Sequence, residues 1–304
     1  MEKRVVTTDV CIKISDMETI KYEQRVVAFI DILGFKEIIK NSNIDLEKVQ
    51  LIFDVLNWFK SFEQPESWSS EFVEIEESAQ LKDVKRFNVE NNIVCTSFSD
   101  SILISLKISD DNINELVSNL VSNLSFIGSI LFQTGILWRG GISIGNLYHN
   151  SNGVVFGDGL IKSYELESKL AIFPRIIISK DLISKLNYPY YSKKERYPYH
   201  NYLERFEDGC VGFHQLKFAE VMTQFLDDDE KLKSLLNKYK KTIIDGLDTN
   251  FETPDIYQKF KWLKDTYNKL YILNNSKTII PNLNENIVGN NIHFKYTDDY
   301  LSEK

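Results

Sequence analysis

Hydrophobic and polar positions along this chain fall into segments whose period changes from stretch to stretch. Arg25-Val-Val-Ala-Phe-Ile30 is a short apolar run with β-branched residues, the pattern of a buried strand. Gly34 breaks the run before Phe35-Lys-Glu-Ile-Ile39, so the segment predicts strand, turn and helix. Between Asp45 and Phe62, the residues Leu46, Val49, Ile52, Phe53, Leu56 and Phe59 recur at three- and four-residue spacing and predict a longer helix. Residues 63–90 are acidic, Ser-rich and irregular, a surface excursion with room for one strand at 71–75. Two apolar segments, Ile93–Phe98 and Ile102–Leu106, flank Ser99-Asp100-Ser101 and predict a hairpin with an acid at its tip.

Downstream, Ile113, Leu116, Val117, Leu120, Val121, Leu124 and Ile127 form a helical stripe within 112–132. Strand-like alternation over 137–148 is punctuated by Gly140, Gly141 and Gly145, and a Gly/Asn turn leads to a short strand at 154–156. Gly157-Asp-Gly159 opens a helix expected to run through Leu170. Pro174–Ile178 predicts a strand, 187–202 a Tyr-, Pro- and Lys-rich loop, and Cys210–Leu216 a last strand. Past residue 216 come Lys- and Leu-rich helices at about 216–226, 229–245 and 254–273, then an Asn-rich tail. These patterns divide the chain into an arm (1–24), an α+β domain (25–215) and a helical extension (216–304).

Composition narrows the function classes. With 36 Lys plus Arg against 44 Asp plus Glu the net charge is -8, which repels phosphate backbones and argues against duplex nucleic acid as a partner. Cys11, Cys95 and Cys210 form no CxxC pair, so a reducing cytoplasm fits better than a disulfide framework. The longest apolar-looking stretch, 113–137, is interrupted by Asn, Ser, Glu and Gln, and no membrane span is expected. His149, His200, His214 and His293 lack zinc-site spacing, and neither a GxxxxGK[ST] loop nor a GxSxG elbow is present.

The chemistry lies in two acids. The order β-α-β-β-α-β describes a ferredoxin-like split unit, which brings Asp31, expected at the end of the first strand, close to Asp100 on the hairpin. Two carboxylates so placed suit a pair of Mg²⁺ or Mn²⁺ ions, which favour oxygen ligands and substrate phosphates. Taken alone, each Asp is also a common turn or cap residue.

Phe29-Ile-Asp31-Ile-Leu-Gly-Phe35 resembles the first metal motif of class III nucleotidyl cyclases, and Phe98-Ser-Asp100-Ser resembles that family's hairpin motif. Trp138-Arg-Gly-Gly-Ile-Ser-Ile-Gly145 is similar to its Arg-x-Gly-Ile-x-x-Gly strand, and Gly157–Tyr164 to the helix entry that follows. The set spans roughly residues 25 to 180 and is most similar to the pyrimidine cyclases of the Pycsar anti-phage system. The resemblance implies a ferredoxin-like cyclase core in a homodimer, converting UTP or CTP to cyclic UMP or cyclic CMP with two Mn²⁺ or Mg²⁺ ions. It further implies a separate effector that responds to the product.

Carried over by position, Asp31, Asp100 and the carbonyl of Ile32 would hold the metals, and the amides of Gly34 and Phe35 would meet the β- and γ-phosphates. Arg139 would reach the triphosphate, while Phe29 and Thr96 would line the base pocket, Thr96 standing where adenylate cyclases carry a base-reading Lys. Plainer roles stay open: Arg139 as an ion-pair partner, Phe29 as core, Thr96 as a strand residue, and Gly140-Gly141 as a packing device. Where the family has its transition-state Asn and Arg, this chain has Ile161 and Glu165. Either Arg175, Lys193, Lys194, Arg196 or Arg205 substitutes, or the protein binds nucleotide without turning it over. A purine cyclase is the enzymatic alternative.

Overall fold

In the computed structural model, which describes residues 20–40, 46–61, 93–109, 112–188, 197–222 and 229–275, the apolar run after residue 24 becomes the central strand of a sheet. This strand, β1 (Glu23–Leu33), is longer than the run that predicts it. It continues through Asp31 because both edges stay paired, with β3 (Ser101–Lys107) on one side and β4 (Leu137–His149) on the other. Asp31 therefore sits inside the strand, opposite Ser101 and Arg139, and not at its end.

β2 (Ile93–Phe98) pairs antiparallel with β3 through a tip of Ser99 and Asp100, and Ser99 takes a left-handed φ of 55° to close it. Beyond β4 lie β6 (Arg175–Ile178), β8 (Val211–His214) and β7 (Glu204–Arg205), in the order β2-β3-β1-β4-β6-β8-β7. Only the β4–β6 pairing in this row is parallel; β5 (Val155–Phe156) folds back on the end of β4. The architecture is α+β with a mostly antiparallel sheet.

Alternation along β1 sorts its residues onto two faces. Val26, Ala28, Ile30 and Ile32 join the main core with α2 (Leu46–Ser61) and α3 (Ile113–Gln133). α3 is long and apolar enough to cross a membrane, but its stripe of Leu116, Val117, Leu120, Val121 and Leu124 is spent on this core. Each such side chain contributes roughly 1.5–3 kcal/mol of transfer free energy. Leu120→Ala would cost roughly 2–5 kcal/mol.

The opposite face, carrying Val27, Phe29 and Asp31, receives α4 (Asp158–Glu165). Gly141 makes that seat possible, since a Cβ there would fall 2.5 Å from Leu166 Cβ and against the Ser163 carbonyl. The packing role of Gly141 is thus observed. The helix expected through Leu170 does not stay α-helical: Leu166–Leu170 form a π turn, closed by the Ala171 amide donating to the Leu166 carbonyl at 2.9 Å.

α1 (Phe35–Lys40) follows Gly34, and α5 (Lys180–Ile183) follows β6. The expected loop at 187–202 contains a helical turn, α6 (Tyr199–Tyr202), whose Tyr199 is wholly buried. The extension forms α7 (Lys217–Met222), α8 (Asp229–Thr249) and α9 (Pro254–Asn275). Its apolar residues, among them Tyr239, Ile243, Phe260 and Leu263, share one cluster with Phe132 of α3, Leu137 of β4 and Leu33 of β1. The arm up to residue 19, the excursion at 63–90, Lys193, Lys194, Arg196, His293 and the Asn-rich tail lie outside the described residues.

Candidate active site

Three of the residues singled out from the sequence meet at one end of the β1–β4 ladder. The Ile32 amide donates to the Asp100 carbonyl at 2.9 Å, which ties the hairpin tip beside Asp31. Arg139, opposite Asp31 across the ladder, holds its Nε 3.5 Å from Asp31 Oδ2. Burial pushes the Asp31 carboxyl above its usual range; Arg139 pulls it back and the charge of Asp100 raises it further.

A fourth group is not legible in the sequence. The π turn carries Glu167, whose buried carboxylate lies 2.7 Å from Arg139 Nε. That contact is an ion pair out of line for a hydrogen bond, leaving Arg139 Nε and Glu167 Oε1 without a hydrogen-bond partner among the described residues. Burial raises the Glu167 pKa, Arg139 opposes the shift, and the charges of Asp31 and Asp100 add to it. Two carboxylates thus press on one guanidinium, within the field of a third, Asp100.

A fifth group arrives from the extension. The Leu33–Leu137 pair, two residues beyond Asp31 and Arg139, packs into the cluster that holds Ile256 and Phe260 of α9. Lys259, half-buried on the same helix, is thereby brought into the field of the site. Burial lowers its pKa, Arg139 lowers it further, and Asp255 and Asp31 act in the other direction.

Gly34 takes a φ of 75° and its carbonyl accepts from the amides of Glu37 at 3.0 Å and Ile38 at 3.1 Å. The amides of Phe35 and Lys36, ahead of these, have no acceptor within the helix. Phe35 itself packs against the main core. Phe29, two residues before Asp31 on the same face, is half-buried and meets Tyr164 edge-to-face with ring centroids 5.5 Å apart.

The basic substitutes for the missing family residues fare differently. Arg175 is buried, paired with Asp208 and lies 4.6 Å from the centre of the Phe206 ring, so it serves the packing of β6 and is withdrawn from the phosphate role. Arg205 lies on β7, at the far edge of the sheet. Ile161 is 61% exposed, and Glu165 pairs with Lys169 at 2.6 Å.

Among the described residues no group of three or more His, Cys, Asp or Glu side chains is close enough to form a metal cluster. Asp31 and Asp100 still fit a hard divalent cation, because their mutual repulsion in a part-buried setting is what such an ion relieves. Two carboxylates with a backbone carbonyl and substrate phosphates make a suitable oxygen set for magnesium or manganese.

Beyond Phe29 the same face changes character. Thr96 Oγ1 lies 2.8 Å from His149 Nε2, and His149 Nδ1 lies 2.8 Å from Ser105 Oγ. Arg25 donates to Ser105 Oγ at 3.0 Å and is itself paired with Glu23 at 2.8 Å. Burial, with the positive charges of Arg25 and Lys60, lowers the His149 pKa to about 4. His149 is therefore a neutral imidazole inside a hydrogen-bonded chain. Zinc-type spacing is the signal a histidine shows in sequence, whereas this role depends on partners from other strands. No protein-family model and no curated protein matches this chain.

Proposed function

We propose that the protein is a nucleotidyl cyclase of class III type, closing UTP or CTP to the 3′,5′-cyclic monophosphate with release of pyrophosphate. The observation that carries this reading is the meeting of Asp31, Asp100 and Arg139 at one end of the β1–β4 ladder. The antiparallel order β2-β3-β1-β4, with α2 and α3 as the crossovers, supports the ferredoxin-like core that the motifs imply.

In this reading Asp31 and Asp100, with the Ile32 carbonyl, hold the divalent ions. Bound there, the ions supply the positive charge that acidifies the ribose 3′-hydroxyl and offsets charge on the pyrophosphate. The 3′-oxygen bonds to the α-phosphorus, the bond to pyrophosphate breaks, and the hydroxyl proton leaves to solvent. Arg139 meets Asp31 and Glu167 with Nε as its nearest atom, and its planar fork suits phosphate oxygens. Glu167 orients that guanidinium. The first-turn amides at Gly34 and Phe35 serve the distal phosphates, and Lys259 adds a cation where Ile161 and Glu165 supply none.

A homodimer belongs to the same proposal. Phe98, Ile161 and Tyr164 are 51, 61 and 52% exposed, and a second subunit would cover such apolar surface. The cyclic product would then signal to a separate effector, as the anti-phage resemblance implies.

Incubating purified protein with each of the four nucleoside triphosphates and Mn²⁺, with mass-spectrometric identification of products, tests the reading. Cyclic UMP or cyclic CMP from the wild type, absent from Asp31→Ala and Asp100→Ala, is the expected result. No cyclic product from any triphosphate would overturn it.

A further inference from the structure

The polar chain through His149 has a direction, and that direction bears on the base. Arg25 is a permanent donor, and it donates to Ser105 Oγ at 3.0 Å and to the Ser105 carbonyl at 3.3 Å. Ser105 is fully buried. If His149 also donated to Ser105 through Nδ1, the serine proton would have no acceptor among the described residues, a costly arrangement in a dry setting. Ser105 therefore donates to Nδ1. A neutral imidazole then carries its one proton on Nε2, and that proton goes to Thr96 Oγ1, 2.8 Å away.

Thr96 Oγ1 thus accepts from His149 and keeps its own proton for another acceptor. Thr96 is only part-buried and stands in register with Leu103, which stands in register with Phe29. Two strand spacings place Thr96 about 10 Å from Phe29 across the sheet, and Asp31 is about 7 Å along β1 from Phe29. A nucleotide with phosphates at Asp31 and its ring beside Phe29 presents the edge of the base distal to the sugar towards Thr96. On a pyrimidine that edge carries the 4-substituent, a carbonyl in uracil and an amino group in cytosine.

We infer that the Arg25–Ser105–His149 relay leaves Thr96 with a hydroxyl proton that no described residue accepts and so favours a keto base, making UTP the preferred pyrimidine substrate over CTP. The inference rests on the cyclase reading above for the position of the phosphates, but the relay itself does not. Uracil O4 accepts that proton, whereas a cytosine amino group can use only the second lone pair of Thr96 Oγ1 and leaves the proton without a partner in the site, a difference of about tenfold.

Two measurements test it. In turnover, kcat/KM for UTP should exceed that for CTP by about tenfold or more. Thr96→Val should bring the ratio towards one, while Thr96→Ser, which keeps the hydroxyl, retains the preference. A preference for CTP, or a ratio unmoved by Thr96→Val, would overturn the inference. If no triphosphate is cyclised the cyclase reading fails, and competition binding of UTP against CTP to the same three proteins decides the inference by the same criteria. Separately, ¹⁵N NMR of the histidine side chains should find His149 protonated on Nε2. Protonation on Nδ1 would refute the relay whatever the enzyme does.

Discussion

At the Asp31 end of the β1 face, Asp31 and Glu167 crowd Arg139 beside the charge of Asp100, and the carboxyls of Asp31 and Glu167 are pushed upward. At the other end, each donor from Arg25 to His149 meets an acceptor, and His149 is held neutral. Both regions are polar, part-buried and built on the same three central strands. The difference lies in completeness. The first arrangement is balanced only when charge is added from outside, whereas the second is balanced without a ligand and leaves one proton pointing outward. Unbalanced charge suits a place where metal and phosphate enter, and a satisfied network suits a place where a neutral base is read.

Asp31→Asn separates the two ends most strongly. It should lower turnover on the order of a thousandfold, by analogy with removal of a principal electrostatic group. It should also raise the Tm of the ligand-free protein by a few degrees, because an ionised group disfavoured by burial is removed. A lower Tm in a thermal melt would mean the Asp31 end is not under electrostatic strain.

Next in size is the acid response of the other end. The unfolded imidazole takes its proton near pH 6.5 and folded His149 only near 4, so between these values the unfolded chain binds more protons and stability falls on acidification. The loss by pH 4 is about 3 kcal/mol. Urea unfolding at stepped pH should show it, and His149→Gln should flatten the curve over that window. Arg139→Lys, which keeps charge but loses the fork, should raise the KM for the triphosphate by about tenfold to a hundredfold in steady-state kinetics. Lys259→Ala should raise it less, by roughly fivefold, with the dependence on ionic strength reduced.

Periodicity makes the scaffold legible. α2 and α3 lie within a residue or so of their stripes, and the hairpin around Asp100 is readable because its turn is only two residues long. β1 reads short in sequence because Phe29, Asp31 and Leu33 alternate with core residues only after an unbroken apolar run. β7 and α6, at two and four residues, are too short to establish a period. Asp31, Asp100 and Arg139 carry motif patterns and lie together at one end of the sheet. Glu167, Lys259 and His149 do not, because each acquires its place from tertiary docking: the π turn on Gly141, α9 on Leu33 and Leu137, and the end of β4 against Ser105 and Thr96.

The π turn at Leu166–Leu170 carries one residue more than an α-helical path between the same endpoints would need. Each α-helical residue advances the helix by about 100°, so deleting one residue just before Glu167 would swing its carboxylate away from Arg139. Every side chain at the site would keep its identity. Part of this site is therefore written as a length, which substitution scanning would pass over and single-residue deletion would expose.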